Sequence, residues 1–135
     1  LNYLASIKFT AYCLNKLEML QSLEAGQNFL SHLPRFTGEN LDRNLSLIEA
    51  IRSIAEEKNA TVAQVTIAWV LSRGEDIIPL IGARRRNRLQ EALGALDVRL
   101  ADGDLARIEA AVPPDAVAGD RYDAGQMGML DSERS

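Results

Sequence analysis

Between residues 7 and 13 apolar and polar side chains alternate, with Ile7, Phe9, Ala11 and Cys13 on one parity and Lys8, Thr10 and Tyr12 on the other. A period of two places successive side chains on opposite faces of a strand, so a short strand is predicted there. From Leu14 to about Leu33 no period persists. A short helix over Lys16 to Ala25 gives way to loop chemistry at Gly26, Asn28 and Ser31. Pro34 to Asn40 reads as a polar connector to the clearest helical pattern of the chain.

That pattern runs from Leu41 to Lys58. Leu41, Leu45, Leu47, Ile48, Ile51, Ile54 and Ala55 recur at three and four, while Arg43, Glu49, Arg52, Glu56 and Glu57 take the other side. Such spacing buries one stripe and solvates the opposite face. Asn59 suits the left-handed residue at the helix end, and Thr61 with Gln64 three residues later makes a capping box for the next helix. This second helix, Val62 to Arg73, is apolar nearly all round, which suits a helix packed among neighbours, and Gly74 ends it.

The run Ile77-Ile78-Pro79-Leu80-Ile81, bounded by Glu75-Asp76 and Gly82, reads as a buried parallel strand with its proline at an end or irregularity. Gly82-Ala83-Arg84-Arg85 then leads into a helix with the stripe Leu89, Leu93, Leu96. A last helix over about Asp102 to Val112 stops at Pro113-Pro114, and the tail from Asp115 to Ser135 reads as loop. A strand returns parallel to another only through a long crossover, so this order predicts parallel α/β architecture. Two strands leave open edges, and the pattern reads as part of a larger α/β unit.

Composition changes the picture by exclusion. The 135 residues suit one domain, and 47% apolar with 25% charged residues is ordinary globular usage. The single cysteine, Cys13, and single histidine, His32, exclude an internal disulfide and leave too few soft ligands for zinc. No run approaches the ~20 apolar residues that span a bilayer, and no signal-peptide pattern opens the chain, so the expected compartment is the cytoplasm, with no membrane partner. Fifteen Lys and Arg against nineteen Asp and Glu give a net charge of −4, unfavourable for a polyanion such as nucleic acid. The positive charge is nonetheless gathered: Gly82 to Glu91 holds four arginines and one acid.

That cluster is the one sharp chemical signal. A helix N-terminus presents unpaired amides, glycine permits close approach, and arginine forks grip phosphate. The competing reading is a strand-to-helix turn that carries glycine and solvated arginines with no ligand. Trp69 reads as core packing, Cys13 as a small strand-end residue, and His32 as a connector residue in a solvated or capping role.

The segments H-L-P-R-F-T-G-E-N-L-D-R-N-L at 32–45, T-V-A-Q-V-T-I-A-W-V-L-S-R-G at 61–74, I-I-P-L-I-G-A-R-R-R-N-R-L-Q-E-A-L at 77–93 and A-G-D-R-Y at 118–122 resemble, in register and order, the C-terminal portion of aldo-keto reductases. The resemblance implies the C-terminal portion of a (β/α)8 TIM barrel, incomplete in this chain, from an NADPH-dependent carbonyl/alcohol oxidoreductase. It implies that Gly82, Ala83 and Arg84 lie at the adenosine 2′-phosphate of NADPH, with Arg88 near the adenine and Glu91 beside it. The asparagine that follows in the family is Ala92 here. F-T-A-Y at 9–12 is similar to a late barrel strand, but Cys13 to Ser22 lacks the glycine-containing turn that follows it in the family. The family's Asp, Tyr, Lys and His tetrad lies on earlier strands without counterpart in these residues, so no residue is assigned to catalysis.

The expected organisation is 1–33 as divergent strand and loop, 34–112 as helices, strand and cofactor-type turn, and 113–135 as tail. The expected partners are a nicotinamide cofactor and a complementing chain or self-association. The rival is a non-enzymatic remnant or interaction protein that completes its sheet with another chain. An anion- or RNA-binding module is the weakest reading, since no aromatic residue interleaves the arginines.

Overall fold

The amphipathic stripe predicted for the middle of the chain forms helix α1, Gly38–Glu57, which buries Ile48, Ile51, Ile54 and Ala55 on one side. A computed structural model of the protein describes residues 32–83, 85–113, 115–120 and 122–129. The predicted strand at 7–13 and helix at 16–25 lie outside these residues. Helix α1 begins three residues before its expected start, and the polar connector is instead a 3-10 turn, Pro34–Phe36, followed by the first turn of α1. Phe36 is buried and anchors the turn to the core. Gly38 (φ +53) swings the chain into the helix.

The end of α1 follows from its sequence. Asn59 has φ +51, and its N–H donates to the Glu56 carbonyl while that of Ala60 reaches back to Ala55. This is the Schellman arrangement, in which a left-handed residue lets the chain satisfy the last carbonyls. Two residues later the capping box at Thr61 and Gln64 forms in both directions and starts α2, Val62–Leu71. Every residue of α2 from Val62 to Val70 except Gln64 is buried. Trp69 sits in this core with Arg73 over its ring, 5.6 Å from the centroid.

Helix α3, Arg86–Leu93, runs into a 3-10 turn, Gly94–Asp97. Both pack against α2. Helix α4, Asp102–Ala111, packs on α1 and adds Ile108 to the core. Its start is held by Asp104, whose carboxylate accepts the Ala101 N–H at 2.8 Å. At the α1–α4 junction Arg107 grips Glu57 through two bonds of 2.7 Å, and Lys58 pairs with Asp104.

Among the described residues all regular structure is helical, and the strand predicted at 77–81 does not form. Ile78 and Leu80 are 83% and 96% exposed rather than buried. The physical reason is pairing: a strand exists through ladder hydrogen bonds, and no described residue supplies a ladder to this segment. The helical half of the α/β expectation is present, and this strand is its correction.

The described part of the tail, 115–120 and 122–129, holds more structure than its composition suggested. Asn44, buried in α1, donates to the carbonyls of Arg35 and Ala118 and accepts the Ala118 N–H at 2.9 Å. Arg35 donates to the Gly119 carbonyl at 2.7 Å. Gly119 needs to be glycine, because its φ is +84 and a Cβ would stand 2.9 Å from the Pro34 carbonyl oxygen. Tyr122 packs against the core, and a short helix α5, Ala124–Met127, follows, capped by Asp123.

Candidate functional site

The arginine cluster lies where an extended segment enters a helix. Residues 77–83 have no regular structure, and Arg85 (φ −118, ψ +143) is the last extended residue before α3. The first amides of any helix lack partners within it, and α3 receives no side-chain cap from Arg85. The Asn87 side chain accepts the Arg88 N–H at 3.0 Å, and the N–H groups of Arg88 and Leu89 also reach the Arg85 carbonyl.

The expected site residues fall in two groups. Gly82 and Ala83 lie on the extended approach, Gly82 exposed and Ala83 half-buried. A Cβ built on Gly82 meets nothing within 4 Å, so the backbone faces open space. Arg84 lies outside the described residues. Arg88 and Glu91 are brought together on α3, where Arg88 Nη1 donates to Glu91 Oε2 at 2.9 Å. The pair occupies one edge of the guanidinium, which has five N–H donors in all. Arg85 and Arg86 are exposed beside it.

Electrostatically this is a cationic end of an otherwise acidic molecule. Arginine keeps its charge at any physiological pH, and its planar fork matches phosphate. With an open glycine backbone and no side-chain cap from Arg85, the arrangement suits a phosphate-bearing ligand held mainly by the charge of the arginines. His32, the one histidine, is exposed in the segment before Pro34.

A separate cleft of about 490 Å³ is lined by Gln64 and Gly94 together with Glu57, Lys58, Asp97 and Arg99 among others. It contains none of the expected site residues. Its charges of both signs are partly committed to the α1–α4 ion pairs.

One residue that bears on this site was missed by sequence reasoning. Gln64 was legible as half of a capping box, but its amide also donates to the Glu91 carbonyl at 3.0 Å and so reaches the arginine helix. The available signal was Gly94, since glycine just after a helix marks either a cap or a close approach, and here it is an approach to Gln64.

Comparison with known proteins gives a consistent result. The model of the aldo/keto reductase family matches residues 11–113. A Glycine max protein named "Probable aldo-keto reductase 1" is 40% identical over 104 residues, which cover 77% of this chain and 30% of the relative. The Schizosaccharomyces pombe aldo-keto reductase yakc, whose name carries the designation NADP(+), is 39% identical over 98 residues, covering 73% of this chain and 29% of its own length. The chain thus spans about three-tenths of the length of these relatives.

Proposed function

We propose, because this chain belongs to the aldo/keto reductase family, that it is the C-terminal portion of a cytoplasmic NADPH-dependent carbonyl/alcohol oxidoreductase and contributes the adenosine-phosphate half of the cofactor site. In this reading residues 34–112 are the part of a (β/α)8 barrel that carries the cofactor turn. Gly82, Ala83 and Arg84 receive the 2′-phosphate, and Arg88 and Glu91 border the adenine. The observation that carries it is the Arg88–Glu91 pair on the exposed helix that begins at Arg86, a few residues after Gly82, where an added Cβ would meet only open space. The residues fit a phosphorylated nucleotide, since the guanidinium edges not turned to Glu91 remain available and no Cβ closes the approach at Gly82.

When bound, the nicotinamide cofactor supplies a hydride. The residues of this chain bind and orient: the arginines hold charge against phosphate, and the carboxylate of Glu91 fixes the Arg88 plane. No residue of this chain is assigned to the proton or hydride step.

The test is a calorimetric titration of the size-checked chain with NADPH and with NADH at low and high salt. Saturable, salt-sensitive binding that prefers NADPH, with the preference lost in Arg84→Ala, is the expected result. Equal binding of NADH overturns the 2′-phosphate reading, because only the phosphate distinguishes the two.

A second reading is favoured by one observation. Ile78, Leu80, Leu89, Leu93 and Leu96 are all exposed along one stretch of chain. A non-enzymatic interaction protein that completes its sheet with another chain would cover them. Absence of NADPH binding by a folded sample, together with association that buries these residues, selects that reading.

A further inference from the structure

The helix that carries the arginines has little of its own to hold it. None of the side chains of α3 is buried, and its first turn is uncapped by Arg85. Eight residues are too few for helix propensity alone to maintain it in water. Its attachment therefore depends on a few identifiable contacts. One is Ala95, buried in the 3-10 turn that follows. The other is the side chain of Gln64.

Gln64 uses both ends of its amide. Oε1 accepts the Thr61 N–H at 2.9 Å and completes the cap of α2. Nε2 donates to the Glu91 carbonyl, in the last turn of α3, where carbonyls have no partner within the helix. Gly94 leaves the room this bond needs, since a Cβ there would overlap Gln64 Nε2 and push the amide away. Beyond it the Glu91 carboxylate takes the Arg88 guanidinium. One series of bonds thus runs from the cap of α2 through Gln64 to the Glu91 backbone, and from the Glu91 side chain to Arg88.

The geometry points to Gln64 as a positioning residue for α3, which sets the orientation in which Arg88 and Glu91 are presented; as a statement about cofactor binding, this rests on the nucleotide reading above. Gln64 acts through Glu91 and need not touch the ligand.

Gln64→Glu separates its two roles. A glutamate at this position still accepts the Thr61 N–H and is favoured at a helix start, but it sets an oxygen against the Glu91 carbonyl in place of the donor. In the full chain, amide exchange over residues 86–93 is expected to rise about tenfold, the scale of one lost hydrogen bond, while exchange over 62–71 stays at the wild-type rate. NADPH affinity is expected to fall by about the same factor. Gly94→Ala, which crowds the same bond from the α3 side, should reproduce both effects and serves if Gln64→Glu fails to fold. Unchanged exchange over 86–93, or loosened exchange with undiminished NADPH affinity, overturns the assignment. A wild-type chain that binds no NADPH removes the nucleotide reading instead, and exchange over 86–93 then decides by itself whether Gln64 positions the helix.

Discussion

Asn44 shows how one side chain can organise a distant segment. Its amide lies in the core and is matched on both sides, with Nδ2 toward two carbonyls and Oδ1 toward the Ala118 N–H. Asparagine in a helix interior is unremarkable by sequence, and nothing in the pattern around Leu41 to Leu45 set it apart from its solvated neighbours. Its role arises because residue 118, 74 positions later, returns to it. Asn44→Ala should cost about 2 kcal/mol, since it leaves backbone groups of Ala118 buried without partners. The check is a urea unfolding curve, accompanied by amide exchange that rises over residues 116–120. Retained protection there would mean that Gly119 and Arg35 hold the tail without Asn44.

Between elements, the α1–α4 junction gathers charge at the end of one helix and the start of another. The Lys58 ammonium, and then the Ala101 N–H, hold the Asp104 carboxyl below its ordinary range. The Arg107 guanidinium does the same to Glu57. A carboxyl lowered in the folded state contributes stability that is present above its unfolded value and lost as pH falls through the folded one. The junction should therefore weaken below about pH 4, the ordinary range of these groups, and stay constant near neutrality. Unfolding midpoints measured from pH 7 to pH 3 check this, and Asp104→Asn should flatten the acid limb. An equal slope in the variant would place the acid sensitivity elsewhere. The elements themselves were largely legible: the stripe of α1, the left-handed Asn59, the capping box and the all-round apolar α2 are each local consequences of side-chain spacing. The early start of α1 was not, because it depends on Phe36 finding the core.

For the whole molecule the decisive feature is the set of large apolar side chains exposed between residues 78 and 96, among them Ile78, Leu80, Leu89, Leu93 and Leu96. Large apolar side chains gathered in water favour association or burial by a partner. The chain should bind a hydrophobic dye and associate at high concentration, and Leu80→Lys combined with Leu89→Lys should reduce both. Sedimentation velocity with dye titration measures this, and unchanged association in the double variant would move the contact to another face. If the cofactor reading holds, these side chains are the ones that the rest of a barrel would cover.

The sequence by itself determined the family and most of the helices from α1 to α4, though not the start of α1 or the short α5, because stripes, caps and the family's segments are each written in residues close to one another along the chain. Tertiary structure alone decided what those elements touch. The apolar run at 77–81 has the composition of a buried strand, yet burial and pairing belong to its neighbours in space, and none among the described residues pairs with it. Asn44 was visible only as a residue type, and Gln64 only as half of a cap, for the same reason. A side-chain amide has donors and an acceptor that can be satisfied in many ways, and only the folded chain brings Glu91 to one and Ala118 to the other.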